Sequence, residues 1–419
     1  MLASILYNAA VGWIDRMTPL LAKWPGKTGT FFRARRGLMK ELAGMNFPEN
    51  PLWFHAASVG EYEQMLPVVE KIKERYPQIP VVISFFSPSV YEMKHKKTPA
   101  DLDFYLPLDT PRHMEQLTEL IGPRAVLFVK YEFWPNLTRA LHRRQVPMYL
   151  ISGIFREGQA VLRYGFLRQV LERFRLFFLQ DEDSQRLLHR YGLTQTLVTG
   201  DTRFDRVLEV AAQPVNFPVV KAFAQDKKLL IAGSTWPADE RILLDWWRRH
   251  RPEDWKLFII PHEPTPTHVR QLLEQTGGRA ALYSRFDRAA ADKDILIGDV
   301  KGLLKYVYRY GDLAYIGGGF GKGIHNTLEA AVYGIPVIFG PRYEKFKEAR
   351  DLIATGGARS INGAEDFETI MRLWNDAGHR RDAGRKARAY VESRAGATER
   401  MLQALAGEGI LQESGANDV

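Results

Sequence analysis

The chain offers chemistry at two places. The first is the turn His55-Ala56-Ala57-Ser58-Val59-Gly60-Glu61, at the carboxyl end of an apolar run. A carboxylate there would face a ligand cleft and could take a proton from a hydroxyl. Ser58 to Glu61 also reads S-x-x-E, the pattern of a capping box that closes the first turn of a helix. Spacing leaves both readings open, and His55 reads as a structural strand-end residue. The second place is AYIGGGFGKGIHNTLEAAVYGIPVIFGP, Ala314 to Pro341. A strand over Ala314–Ile316 runs into glycines 317, 318, 319, 321 and 323, then a helix from about Asn326 to Gly334, then a strand over Val337–Phe339. Glycines let backbone N–H groups approach a ligand, and a helix N-terminus attracts an anion. Neither G-x-G-x-x-G opening a helix nor G-x-x-x-x-G-K-[ST] is present. A plain βαβ turn, with Asn326 as N-cap and Glu329 as its capping-box partner, is the alternative; phosphate binding is preferred.

Other signals are weaker. Asp101-Leu102-Asp103 and Asp181-Glu182-Asp183 imitate a D-x-D metal motif, but the second starts a helix at Ser184 and no Cys/His cluster supports a metal. No metal and no cofactor are expected. Tyr306, Tyr308 and Tyr310 with Lys305 and Arg309 imitate a nucleic-acid surface. They precede Gly311 on a helix and read as packing or solvated residues, so no nucleic-acid partner is expected. The chain has no cysteine, which removes disulfides and thiolate chemistry and fits a reducing compartment. A net charge of +9, from 58 basic against 49 acidic residues, suits a polyanionic partner.

These residues need a scaffold, and 419 residues exceed one core. The pattern alternates strand and helix: strands at 52–55, 81–84, 125–129, 148–151, 176–180 and 197–199, with a helix after the first carrying Met65, Val68, Val69 and Ile72 on one face. Segment 211–219, AAQPVNFPV, reads as a linker. The pattern restarts with strands at 229–232, 257–260, 295–297, 314–316 and 337–339. Two runs of βα units predict two doubly wound, Rossmann-like α/β domains with ligands at the carboxyl ends of strands, in the cleft between them. The boundaries are 26–210 and 220–400, and the tail from Gly407 is expected to fray. Residues 1–14 carry no side-chain charge and are too short to span a bilayer as a helix, which takes about 20 residues. Leu2, Ile5, Leu6, Ala9, Trp13 and Met17 repeat near helical spacing; Lys23, Lys27, Arg33, Arg35, Arg36 and Lys40 follow. Residues 1–25 are therefore expected to anchor the chain on an anionic membrane surface rather than dock wholly on its own core.

HAASVGE at 55–61, KYEFWPNL at Lys130–Leu137, VTGDTRFD at Val198–Asp205 and GGGFGKGIHNTLEAA at Gly317–Ala331 occur in one order. Together they resemble the 3-deoxy-D-manno-oct-2-ulosonic acid (Kdo) transferases of Gram-negative lipopolysaccharide synthesis, over the length from the N-terminal anchor to about Arg400. The resemblance implies a B-type glycosyltransferase fold. It also implies inverting transfer of Kdo from CMP-Kdo to the lipid A precursor (lipid IVA), without a metal, at the cytoplasmic side of the cell inner membrane, with peripheral or monotopic attachment. By resemblance Glu61 is the general base, Glu132 supports the transition state, and Arg203 stands where the family has lysine. The CMP-Kdo positions implied are Ser234, Pro261, His262, Lys301, Gly302, Leu303, Gly323, Ile324, His325, Asn326 and Thr327, with Glu329 near the ribose. The family more often has Pro-Arg at 261–262 and Gly-Glu at 302–303. A nucleotide-sugar 2-epimerase, or another two-domain nucleotide-sugar transferase, is the alternative within this fold.

Overall fold

Among the described residues, short runs of Val, Ile, Leu and Phe, bounded by turn residues, form fourteen strands in two seven-stranded sheets, each strand parallel to its neighbours. The computed structural model describes residues 2–87, 98–250 and 253–412. Unit 1 comprises Met1–Arg206 and Ala395–Val419; unit 2 comprises Val207–Arg394.

Unit 1 opens with three helices, α1 (Leu2–Leu21), α2 (Gly26–Arg33) and α3 (Leu38–Ala43). The wound part follows: β1 (Leu52–Ala56), α4 (Val59–Arg75), β2 (Val81–Phe85), β3 (Leu102–Tyr105), α5 (Pro111–Ile121), β4 (Ala125–Val129), α6 (Pro135–Arg143), β5 (Met148–Gly153), β6 (Leu176–Leu179) and β7 (Thr196–Val198). The order across the sheet is β3-β2-β1-β4-β5-β6-β7. Every residue of β1, β2, β4 and β5 is buried, as strands covered by helices on both faces must be. Unit 2 holds β8 (Lys228–Thr235), β9 (Trp255–Pro261), β10 (Ala280–Leu282), β11 (Ile295–Ile297), β12 (Leu313–Ile316), β13 (Val337–Phe339) and β14 (Ala358–Ser360), ordered β10-β11-β9-β8-β12-β13-β14.

The strands that sequence patterning misses are β3, β10 and β14, and all three lie at sheet edges. They are three or four residues long and not buried throughout, so only short or broken apolar runs mark them. Asp101-Leu102-Asp103 falls on β3: Asp101 takes the Lys73 ammonium at 2.9 Å and the Val81 N–H at 2.7 Å. Asp181 caps the helix Glu182–Arg190 through Ser184 N. The tyrosine group packs rather than presenting a surface: Tyr308 is fully buried, and Tyr310 accepts the Phe217 N–H. With Arg309, which donates to the Gln213 and Val215 carbonyls, it secures the proline-containing stretch after the helix Thr202–Ala212.

The chain returns to unit 1 at Ala395. Asp205 accepts from Gly396 N (2.6 Å), Thr398 N (2.7 Å) and the Thr398 hydroxyl (2.7 Å), capping the helix Ala397–Gly407 from a distant part of the sequence. The tail does not fray at Gly407. Ile410 and Leu411 are buried, and Arg124 donates to the Gln412 carbonyl at 2.9 Å. Of the expected frayed stretch, 413–419 lie outside the described residues.

Asp205→Ala should therefore cost unit 1 about 2 kcal/mol, because two backbone donors of the last helix lose their acceptor. Hydrogen exchange should localise the loss to 395–412; unchanged protection there would show that apolar packing alone holds the tail.

Candidate functional site

In unit 1 the chain runs outward from β1 through β2 to β3, then crosses to β4 on the other side of β1. Between β1 and β4 the strand order reverses, and parallel strands deliver both carboxyl ends to one edge. His55 lies on β1, Glu61 follows it on α4, and Glu132 follows β4.

His55 is fully buried, with Nδ1 at 2.8 Å from the Ser84 hydroxyl. That hydroxyl already accepts the Trp53 indole N–H at 2.7 Å. Its own hydrogen is thus available for His55 Nδ1, which leaves the ring proton on Nε2. Nε2 lies 3.3 Å from Glu132 Oε2, in polar contact but not angled for a hydrogen bond. The same oxygen takes the Trp134 indole N–H at 2.8 Å. The strand-end reading of His55 is therefore incomplete, because the imidazole touches the second carboxylate.

Glu61 is a cap as well as a candidate base. Its Oε2 accepts the Ser58 N–H at 2.9 Å, completing the capping box. Burial first, and Glu132 second, hold its carboxyl above the usual range, against the pull of two backbone N–H groups and His55. The hydrogen bonds orient the carboxylate while its surroundings make it hungrier for a proton. Arg203 clasps Asp201 through Nε (2.8 Å) and Nη2 (2.7 Å), and its own N–H bonds the same carboxylate. Burial alone would raise Asp201, but the Arg203 and Lys130 charges and the Arg203 bonds outweigh it and hold the carboxyl low. Burial also raises the Tyr131 hydroxyl, which feels both Arg203 and Glu61 and so places them in one neighbourhood.

In unit 2 the corresponding reversal lies between β8 and β12. Ser234, next to last in β8, has φ 52°, a strained conformation for a residue with a side chain. Pro261 and His262 end β9, Lys301–Leu303 follow β11, and the glycine loop follows β12. The glycines mainly let backbone pack on backbone. A Cβ at Gly317 would sit 2.2 Å from the Ser234 carbonyl oxygen, and one at Gly319 2.6 Å from the Gly340 backbone. The Gly318 N–H is taken by Asp239 at 2.9 Å. The helix expected from Asn326 is one turn, Leu328–Ala331, too short to add a macrodipole. Its N-cap is Thr327, without a side-chain cap bond, rather than the expected Asn326; Asn326 Oδ1 accepts from Leu328 N and its Nδ2 donates to Glu329, both at 3.1 Å.

Aromatic rings gather beside this loop, from the turns after β8 and β9 as well as from the loop itself. Trp236, His262 and His325 form a stack, with ring centroids 5.0 Å and 4.2 Å apart. The Trp236 indole donates to His325 Nε2 at 3.1 Å, so the His325 proton sits on Nδ1. Burial, then the neighbouring His262, pulls the His325 pKa down to about 4. Thr327 Oγ1 is buried without a hydrogen-bond partner among the described residues. Leu303 and Ile324 are buried apolar side chains, so a ligand would meet their backbones. Trp236 escaped the sequence reading; its only signal was an exposed aromatic one residue beyond the end of β8.

A family model described as 3-deoxy-D-manno-octulosonic-acid transferase (kdotransferase) matches residues 30–206. A 3-deoxy-D-manno-octulosonic acid transferase from Bordetella pertussis is 29% identical over 376 residues, 85% of this chain and 86% of that protein. One from Haemophilus influenzae is 26% identical, covering 85% and 87%. Among solved structures, UDP-GlcNAc 2-epimerase from Neisseria meningitidis bound to UDP-GlcNAc has a TM-score of 0.61 at 14% identity, covering 85% of this chain and 100% of that one. MurG from Acinetobacter baumannii scores 0.53 at 13% identity, covering 85% and 99%. Identity this low carries the fold alone: two Rossmann-like domains in the B-type glycosyltransferase arrangement of secondary structure.

The raised Glu61 carboxyl makes a stability prediction. A carboxylate whose folded pKa lies above its unfolded value weakens the fold at high pH and returns that stability as pH falls through the folded value. Glu61→Gln keeps the capping geometry without the charge. The variant should melt no lower than the parent at pH 8, and its advantage should shrink toward pH 4 in thermal scans. A variant less stable at pH 8 would show that the cap bond outweighs the buried charge.

Proposed function

We propose that this chain is a member of the 3-deoxy-D-manno-octulosonic-acid transferase family, as its similarity to those enzymes supports, and that it transfers Kdo from CMP-Kdo to the lipid A precursor (lipid IVA) in lipopolysaccharide synthesis. The observation that carries this reading is the pair Glu61 and Glu132 around buried His55 at the β1/β4 reversal, inside the stretch that the family model matches. Glu61 takes the proton of the acceptor hydroxyl. The freed oxygen attacks the anomeric carbon, the bond from that carbon to the CMP phosphate oxygen breaks, and configuration inverts. A carboxylate held above its usual pKa is the better base near neutrality. Glu132, fixed by Trp134, offers negative charge to the electron-poor sugar carbon, while Arg203, fixed by Asp201, offers positive charge to the Kdo carboxylate. Unit 2 holds the nucleotide through Ser234, Pro261, His262, Lys301–Leu303, Gly323–Thr327 and Glu329, with the imidazole and indole stack as a flat surface for the base.

The acceptor's lipid chains call for a membrane surface, and α1 supports one on the cytoplasmic side of the inner membrane. No helix among the described residues is long and apolar enough to cross a bilayer. Yet α1 is inverted relative to an ordinary surface helix. Leu2 (70% exposed), Ile5, Leu6 and Trp13 (61%) face outward, whereas Tyr7 and Asn8 bond to the protein. An outward apolar stripe followed by exposed Lys23, Lys27, Arg33, Arg36 and Lys40 suits the interface of an anionic leaflet. Arg35 departs from the basic cluster expected at the lipid, because it is buried.

Glu61→Gln should lower transfer from CMP-Kdo to lipid IVA by roughly 10²–10⁴ while calorimetry shows CMP binding nearly unchanged. The parent's acid limb should fall above the pH range of an ordinary carboxylate, since the working form is the ionised one. Turnover within a few-fold of the parent would leave Glu61 a cap and nothing more. For the membrane, Leu6→Glu with Trp13→Glu touches only exposed side chains, so folding should survive. Flotation with vesicles containing anionic lipid should drop sharply; a doubly substituted protein that floats like the parent would place the contact elsewhere.

A further inference from the structure

Glu132 sits on a connector with neither helix nor strand, residues 130–134, between β4 and α6. The connector begins strained: Lys130 has φ 57°, and its N–H bonds the Ile151 carbonyl. Something else must hold Glu132 still, and both candidate supports come from the N-terminal helices.

The first reaches the connector through Trp134. Its ring packs on Phe86 at 4.4 Å, centroid to centroid, and its indole holds Glu132. Phe86 is held in turn by Arg35, just beyond α2. The Arg35 guanidinium lies 3.8 Å from the centroid of the Phe31 ring and 4.3 Å from that of Phe86, and donates to the Phe86 carbonyl at 2.7 Å and the Phe31 carbonyl at 3.1 Å. Its Nε is buried without a hydrogen-bond partner among the described residues. Burying a cation on two carbonyls and two rings is costly, and burial presses its pKa downward although a guanidinium stays charged at neutral pH. A residue meant only for lipid phosphates would stay in water.

The second support grips the far end. Asn136 N and Leu137 N, at the start of α6, both donate to Asp109 at 2.9 Å. The Tyr7 hydroxyl donates to the same carboxylate at 2.8 Å, and Asn136 Nδ2 donates to Asn8 Oδ1 at 2.9 Å. Helix α1 therefore closes the site that fixes the α6 N-terminus.

We infer that Arg35 and Tyr7 are positioning residues for Glu132, so that the membrane-facing helices and the reaction geometry form one mechanical unit. This rests on the transferase reading above. Arg35 acts through Phe86 and Trp134, and Tyr7 through Asp109 and the start of α6. Seating α1 and α2 and seating Glu132 are then the same event, and turnover depends on these helices even when the acceptor is not in a membrane.

The test uses the full chain with detergent-dispersed lipid IVA and CMP-Kdo, so that vesicle attachment plays no part. Tyr7→Phe deletes one hydroxyl; Arg35→Met keeps bulk but loses the donors, and Arg35→Lys restores part of them. Tyr7→Phe and Arg35→Met should each lower kcat about tenfold with KM for CMP-Kdo unchanged, and Arg35→Lys should fall between Arg35→Met and the parent. Hydrogen exchange should rise over 130–138, with the rest of unit 1 protected as before. A kcat within twofold of the parent for both Tyr7→Phe and Arg35→Met, or exchange rising evenly across unit 1, overturns the inference. If the parent itself transfers no Kdo, the transferase reading fails, and the exchange pattern alone then decides whether these residues hold the connector.

Discussion

Parallel pairing is the constraint on which the rest of this molecule depends. Because every strand in both sheets runs the same way as its neighbours, the turns that leave the strands all emerge at one edge of each sheet. Reversal of strand order, between β1 and β4 in unit 1 and between β8 and β12 in unit 2, then opens a gap in the helical cover at that edge. Residues separated by scores of positions in the chain, such as His55 and Glu132, become neighbours for this reason. The fold needs long apolar strands buried on both faces, and the chemistry occupies the few positions where burial ends.

At that edge the structure resolves a conflict that spacing leaves open. Glu61 could have been a helix cap or a proton acceptor, and the geometry makes the two compatible. A backbone N–H of Ser58 fixes the carboxylate in place, while burial and the nearby Glu132 keep its proton affinity high. Capping alone would favour the ionised form and weaken the base. Here desolvation wins, which is the balance a general base needs.

The glycine loop teaches the opposite lesson. Its composition suggested close approach by an anion, yet Gly317 and Gly319 are glycines because neighbouring backbones leave no room for a Cβ. Buried Asp239 claims the Gly318 N–H, the Tyr315 hydroxyl and the Trp236 N–H, holding the loop from beneath. Beside it lie the stack of Trp236, His262 and His325 and the Thr327 hydroxyl, which is buried without a partner among the described residues. Gly317 and Gly319 serve the packing of the loop itself.

The sequence by itself determined the two-sheet α/β architecture, because β1, β2, β4, β5, β8 and β9 are apolar runs that can only be central parallel strands. Four motifs in a fixed order carry the resemblance to Kdo transferases, and the apolar residues of α1 are legible at helical spacing, though only the structure shows them facing outward. The sequence could not reveal the edge strands β3, β10 and β14, which are short, partly solvated and carry no long apolar run. Nor could it show that the helix after the glycine loop is a single turn, or that Asp205 returns to cap the last helix. Above all, tertiary structure decided the partners of charged groups. Arg35 looked like one more cation in a basic cluster, and only packing between Phe31 and Phe86 shows it buried; His55 looked structural, and only the β1/β4 pairing brings it to Glu132. Local periodicity records which face of an element is apolar, whereas the energy of a charge depends on what the rest of the chain places around it.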